Sequence, residues 1–408
     1  MNENDGLPTT GWQWAALGDL VTDASNGLYK PDTFYGRGTP ILKMFNIGRL
    51  DGSWNLGRVD RLAVTPKEHE QFGLADGDLL VNRVNSRELV GKCAVVNADT
   101  AGAVFESKNM RVRIERSRAN PEWVALWLNS EFGRAQIERF AQQAVGQATI
   151  NRSHLDAIKV PVPPLAEQRR IAARLREELA AVTAARAALK AQLSAAVALP
   201  AACLRETFPK HADNGSPTHK LASVLSLRND IMHPRNRPTG SGEFVGLEHI
   251  ESHTGRRLGS VRVDFAKLTG RKTRFAPRDI VYGYLRPYLN KVWLADSEGI
   301  CSVDQYVFRV NPQRGEPGYV AHFLRSPAYL DAAPIDRTQG QLPRIRTDEV
   351  LSVTIPLPSL AEQRVIAARL DAELAAAHTI RERLEERLAA VEKMPAMLLR
   401  AAFAPVTY

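Results

Sequence analysis

The sequence predicts an α+β fold with an internal pseudo-twofold repeat: two small mixed α/β domains joined by two long helices that pack in coiled-coil fashion. Three observations carry this. The string PVPPLAEQRRIAARL at 161–175 returns as PLPSLAEQRVIAARL at 356–370, with 12 of 15 positions identical at an offset of 195. A long run of good helix formers with a seven-residue apolar series follows each string. Short alternating runs, punctuated by Gly, Asp, Asn and Pro, precede each one.

The copy extends both ways. Downstream, Leu179, Leu189, Leu193, Pro200, Arg205 and Phe208 return as Leu374, Leu384, Leu388, Pro395, Arg400 and Phe403. Upstream, NPEWVALWLNS from Asn120 resembles EPGYVAHFLRS from Glu316. ADGDLLVNRV from Ala75 matches APRDIVYGYL from Ala276 in pattern, and KMFNIGRLDG from Lys43 has a looser counterpart in GLEHIESHTG from Gly246. Copies within one chain stay alike where they build the same scaffold and diverge where they touch different things. The matching segments are therefore scaffold, and the divergent ones are candidates for specificity.

Residues 165–208 hold 15 Ala among 44 positions, with many Leu, Arg, Glu and Gln, all strong helix formers. Pro161, Pro163 and Pro164 lead into the helix and Pro209 ends it. Leu175, Val182, Leu189, Ala196 and Cys203 mark one side, and Leu370, Ala377, Leu384, Val391 and Leu398 keep the register in the copy. A heptad series of that length implies helix against helix rather than two surface helices each packing on its own domain. At 1.5 Å per residue each spans roughly 60 Å, with Pro200 and Pro395 expected to kink or interrupt it. On a linear lattice such as DNA, two domains held apart by such helices form a ruler.

The segments from about Trp12 to Lys159 and from about His219 to Thr354 carry the alternating runs, among them GKCAVV and MRVRI, then KVWLA and QYVFRV. Trp123 to Phe140 reads as a helix whose aromatic face belongs to the core. Basic, polar and aromatic residues interleave at the expected strand rims. Arg83, Asn85, Arg87, Lys92, Lys108 and Asn109 form one cluster. Arg271, Lys272, Arg274, Arg286, Tyr288, Asn290 and Lys291 form the other. Arg grips a guanine edge with two parallel hydrogen bonds, Asn does the same for adenine, and Lys reads phosphate as a point charge. The plain alternative is solvated strand ends. Gly146 and Gly340, just before each long helix, allow a tight turn or a close backbone approach to phosphate. Gln147 and Gln341 beside them offer a donor and an acceptor.

The composition, 44% hydrophobic and 24% charged, belongs to a folded chain of two ordinary domains. No stretch reaches the roughly 18 unbroken apolar residues of a spanning helix, and MNENDGLPTTGW does not read as a secretory signal. Cys93, Cys203 and Cys301 are too sparse for a disulfide framework or a zinc knuckle, which favours a reducing, cytoplasmic setting. The formal charge of +9 permits a polyanionic partner. No phosphate loop, GxSxG elbow, HExxH pair, DPPY-like motif or acidic cluster of nuclease type is found, so catalysis is expected to lie with partners.

The paired PVPPLAEQRRIAARL and PLPSLAEQRVIAARL strings, the 195-residue repetition and the phrase FVGLEHI from Phe244 resemble the specificity subunit of type I restriction-modification systems. The likeness covers nearly the whole chain, although KMFNIGRLDG does not repeat the FVGLEHI phrase. The resemblance implies target-recognition domains at 1–160 and 211–355, each reading one half of a bipartite, asymmetric DNA target. It implies that the long helices at 161–210 and 356–408 pack antiparallel, set the gap between the half-sites and receive two methyltransferase subunits. Two restriction and translocase subunits would complete the complex. The chain would bind double-stranded DNA and no membrane, and would hold no cofactor or metal itself. S-adenosylmethionine, ATP and Mg²⁺ would act in the partners, which methylate adenine or cleave DNA. Two other readings remain open: a coiled-coil adaptor binding proteins, and a recognition module serving a different nuclease.

Overall fold

A computed structural model describes residues 12–48, 51–144, 146–209, 217–335 and 342–404. The chain divides into two compact units, Met1–Lys190 with Glu386–Tyr408, and Ala191–Glu385.

In the first unit an antiparallel sheet runs in the order Val21–Asn26, Asn109–Ile114, Leu79–Asn82, Cys93–Val95. Leu79–Asn82 is buried at all four positions, which is why LLVN shows no alternation. A second sheet orders Asp60–Leu62, Tyr35–Leu42 and Val104–Phe105, the last pairing parallel. Helix Pro121–Asn129 begins where Asn120 Oδ1 accepts the Glu122 and Trp123 N–H groups, with Pro121 in the first turn. Trp123 and Trp127 lie in the core. Their indole N–H groups donate to the Pro161 and Lys159 carbonyls at 2.7 and 2.9 Å. These aromatics are structural, as their periodicity suggests.

In the second unit a sheet of the same order and sense runs Leu225–Leu227, Gln305–Val310, Ile280–Gly283, Val292–Leu294. A five-stranded sheet places Gly299–Cys301 parallel to Ser241–Val245. Helix Pro317–Arg325 stands where Pro121–Asn129 does in the first unit, and Tyr319 Oη donates to the Pro356 carbonyl at 2.8 Å.

The Gln of each LAEQR string has a definite role. Gln168 is fully buried; its Oε1 accepts the Asn120 N–H at 2.9 Å, and its Nε2 donates to the Pro163 carbonyl at 2.8 Å. Gln363 repeats this, accepting from Glu316 N–H at 2.9 Å and donating to the Pro358 and Arg314 carbonyls at 2.9 and 3.1 Å. One carboxamide thus ties the proline lead, the first turn of a long helix and the N-terminus of the domain's core helix.

The long helices are Leu165–Thr207 and Leu360–Phe403, and both continue through Pro200 and Pro395. A proline inside a helix costs about 3 kcal/mol. Here the last turn is locked by tertiary packing, Leu204 and Phe208 in the second unit's core and Leu399 and Phe403 in the first's. The heptad series also shifts. Leu175, Val182, Leu189 and Ala196 are buried, but the next buried residue is Leu204, with Cys203 only partly covered. In the copy, Leu370, Ala377 and Leu384 are followed by Leu399, with Leu398 partly covered. An α-helix of 3.6 residues per turn drifts about 20° per heptad, so four heptads move the inward face by about one residue. By length and composition alone Leu165–Thr207 is also apolar enough to cross a membrane, contrary to expectation. Its Ala side chains give it that apolar character, and Lys190 lies among them.

His322, where the first copy has Leu126, is buried on helix Pro317–Arg325. Its Nε2–H donates to Asp371 Oδ1 on the second long helix at 2.8 Å, and its Nδ1 accepts from Arg325 Nη2 at 2.8 Å. That pattern fixes the neutral tautomer. Burial lowers the His322 pKa, the Asp371 bond opposing it, while the His322 bond holds Asp371 below the usual carboxylate range.

Gln168→Ala leaves the Asn120 N–H and the Pro163 carbonyl without partners and should cost about 3 kcal/mol, read from the urea unfolding midpoint. An unchanged midpoint would show the clip to be incidental. A depressed histidine pKa means that the unfolded chain takes the proton first, so stability is lost as pH falls below 6.5. His322→Leu should flatten the stability profile between about pH 6.5 and 5; a profile as steep as the parent's would place the titration elsewhere.

Candidate nucleic-acid interface

In the first unit the chain leaves strand Leu79–Asn82, and Val84–Asn85 pairs with Gln147–Thr149, Asn85 standing opposite Ala148. A carboxamide network fixes this rim. Asn82 Nδ2 donates to Asn109 Oδ1 and to the Lys108 carbonyl, both at 3.0 Å, and Asn85 Nδ2 donates to Asn82 Oδ1 at 2.7 Å. Asn85 Oδ1 accepts the Ser86 N–H at 2.8 Å. Arg83 N–H donates to the Lys108 carbonyl, and its Nη1 reaches the Ser107 carbonyl at 3.3 Å. Arg83, Asn85, Lys108, Asn109 and Gln147 therefore come together. Asn109 is buried within the network, Asn85 is committed to it, and Lys108, Gln147 and Arg87 are exposed. Gly146 adopts φ +78°, the left-handed turn that favours glycine.

Lys92 stands apart from that rim. It is buried, its Nζ donates to the Ile47 carbonyl at 2.7 Å, and burial lowers its pKa, with nearby Asp51 opposing. Lys291 does the same in the second unit, donating to the Leu247 carbonyl at 2.6 Å. Both lysines clip the loops that contain KMFNIGRLDG and GLEHIESHTG. Those loops are also tied to the long helices: Arg186 pairs with Asp51 at 3.9 Å, and Arg381, one repeat later, with Glu251 at 3.1 Å. Burial pushes the Glu251 carboxyl up, but the Thr254 hydroxyl and Arg381 outweigh it and hold the pKa below its ordinary value.

In the second unit Leu285 bridges Arg344, as Val84 pairs with Thr149 in the first. Arg286 and Asn290 flank the turn Pro287–Leu289, both left-handed at φ 53° and 48°. Asn290 is buried and its Nδ2 donates to the Arg325 carbonyl at 2.8 Å. Arg286, Tyr288 and Arg271 are exposed. Arg274 is exposed 4.0 Å from Asp230, and Lys272 Nζ sits 5.0 Å over the Phe244 ring. Gln341 and Gly340 lie outside the described residues.

Several residues escaped the sequence reading. Asn82 is the hub of the first rim. Tyr29, 82% exposed, follows Leu28, whose carbonyl accepts the Ser107 N–H, so it borders the same rim. Arg37 is exposed between Gly36 and Gly38, at φ 94° and 93°; the GRG spelling was the available signal. Arg344 adds an exposed cation beside Leu285. Among the described residues no group of three or more His, Cys, Asp or Glu could hold a metal ion.

Residues 11–195 match the family model of the type I restriction modification DNA specificity domain. Over 196 residues the chain is 29% identical to the type I restriction enzyme EcoDI specificity subunit of Escherichia coli, covering 48% of this chain and 40% of that one. Over 170 residues it is 28% identical to the StySPI specificity subunit of Salmonella potsdam, covering 41% of this chain and 36% of the relative. The chain thus spans about two-fifths of the length of the curated relatives it matches. Among solved structures it is similar to the HsdS subunit from Thermoanaerobacter tengcongensis, at TM-score 0.59 and 18% identity over 97% of both chains. It is also similar to a chain from a study of complex assembly and conformational transition in a type I R-M system, at TM-score 0.68 and 19% identity over 98% of both. At those identities the likeness is one of fold.

Lys92→Met keeps the apolar stem but orphans the Ile47 carbonyl, at a cost of about 1–2 kcal/mol, and Lys291→Met should cost about 1 kcal/mol, since the Leu247 carbonyl keeps its bond from the Ile250 N–H. Lys108→Ala and Arg87→Ala should stay within about 0.5 kcal/mol of the parent. Equal effects of the two pairs on the unfolding midpoint would contradict this division.

Proposed function

We propose that this chain, whose residues 11–195 match the type I restriction modification DNA specificity domain, is a type I restriction-modification specificity (S) subunit that reads a bipartite, asymmetric DNA target and directs methylation or cleavage by partner subunits. The observation that carries this reading is the pairing of like-ordered sheets, in two units, with rims whose exposed side chains differ. A common frame with divergent rims suits two half-sites of different sequence. Lys108, Arg87, Arg271, Arg274 and Arg344 would position the duplex through its phosphates, while polar side chains on the rims would enter the major groove.

Residues 1–160 and 211–355 would be the recognition domains, and 161–210 and 356–408 the spacer helices. Antiparallel packing of those helices is supported within each unit. One core takes Ile171, Leu175 and Leu179 from the first helix with Leu399 and Phe403 from the second, and the other takes Leu204 and Phe208 with Ala367 and Leu370. The exposed Val365, Ile380 and Met397 would help receive the two methyltransferase subunits, and two restriction and translocase subunits would join them. Those partners would supply the chemistry, with S-adenosylmethionine for adenine methylation and ATP and Mg²⁺ for cleavage. Methylation there requires the adenine to leave the stack. Three free cysteines suit a reducing, cytoplasmic setting.

Mapping modified bases across the host genome, with and without this gene, tests the reading. Loss of adenine methylation at a single split motif is expected. An unchanged methylome, together with a complete complex that retains DNA regardless of sequence, would favour a protein-binding adaptor instead.

A further inference from the structure

The two rims differ at one pair of equivalent positions. Asn85 lies one residue beyond the Val84–Thr149 pairing, and Arg286 one residue beyond the Leu285–Arg344 bridge. Asn85 is committed within the protein: its Nδ2 donates to Asn82 and its Oδ1 accepts from Ser86. Each bond uses one of its two N–H groups or one of its two oxygen lone pairs, so what remains can meet a base only in the orientation that the network fixes.

Arg286 is the opposite case. Its backbone is held, since its N–H donates to the Pro343 carbonyl and its carbonyl accepts the Leu289 N–H at 2.8 and 2.9 Å. Its φ of 53° and ψ of 59° lie in the left-handed region, which a residue with a Cβ enters only where surrounding structure imposes it. That structure is visible in the buried Pro287 and in Asn290, pinned to the Arg325 carbonyl. The guanidinium itself is exposed and takes part in no hydrogen bond or ion pair among the described residues. Two further cations belong to the same rim. Arg344 is joined through the Leu285 bridge, and on half-buried Tyr284, two residues before Arg286, burial raises the hydroxyl pKa while Arg344 and Arg271 oppose it. Tyr288 projects from the same turn. The result is a rigid backbone presenting one free, planar, five-donor fork beside two cations suited to phosphate.

Resting on the DNA-reading function above, we propose that Arg286 is the specificity-determining residue that selects a guanine in the half-site read by the second unit. The fork would bond guanine O6 and N7 in the major groove, with Arg271 and Arg344 gripping the flanking backbone.

The test uses the complete complex with its methyltransferase subunits and compares the parent with Arg286→Gly and Arg286→Gln. Glycine accepts the left-handed backbone, so Arg286→Gly should unfold at a temperature no lower than the parent's. Its mapped methylation motif should lose one guanine in one half, that position becoming degenerate, while the other half is unchanged. In competition binding, replacing that guanine should weaken the parent about 10- to 100-fold and leave the glycine variant nearly indifferent. Arg286→Gln should shift preference at the same position toward adenine. An unchanged motif in both variants overturns the assignment. So does a uniform loss of binding to all duplexes, which would make Arg286 a phosphate contact. If the parent complex itself modifies no split motif, the DNA-reading function fails rather than this residue's role.

Discussion

One buried carboxamide per repeat holds together the proline lead, the long helix and the core helix on which each mixed domain is built. Gln168 and Gln363 each satisfy a helix N-terminus on one side and a proline carbonyl on the other. A carboxamide suits this position because it is both donor and acceptor, uncharged, and long enough to reach across. Glutamate would bury a charge, and an aliphatic residue would strand two backbone groups. The indole of Trp123 and the hydroxyl of Tyr319 reinforce the same joint by bonding the Pro161 and Pro356 carbonyls. This accounts for the sharpest part of the internal repetition, which falls on the joint and not on the surfaces it presents.

What was legible in the sequence follows from the same logic. The duplication, the long helices, the mixed domains and the structural character of Trp123 and Trp127 could all be read from periodicity and spacing. Burial of single polar residues could not. Lys92, Asn109 and Asn290 look like surface cations and amides in a strand-rim sequence, yet each finds a backbone or side-chain partner inside the fold. Asn82 drew no notice because LLVN reads as a plain buried strand, although its carboxamide organises the whole first rim. The heptad series gave the helix face correctly for about three turns of repeat and then lagged by a residue. A seven-residue template cannot follow a 3.6-residue helix any farther.

The clips at Asp51 and Glu251 add a constraint that neither domain's own core supplies. Arg186 and Arg381 reach from the long helices to loops of the mixed domains, and Lys92 and Lys291 fasten those loops to the sheets. Each loop is therefore held from two directions. The divergent spelling of KMFNIGRLDG and GLEHIESHTG conceals a common mechanical task, with Asn46 and His249 bonding the equivalent N–H groups of Lys43 and Gly246.

The first unit closes its core with residues from the far end of the chain: Phe403 packs on Trp123 and Trp127, with ring centroids 4.8 and 5.1 Å apart. During synthesis those tryptophans emerge long before their last neighbour exists. The nascent first unit must wait, with an apolar face uncovered, while the second is made. Such a high-separation contact slows closure and exposes the intermediate to aggregation. It also makes the final helix a checkpoint, since a ribosome that stops early releases a protein whose first unit rests on an unfinished core.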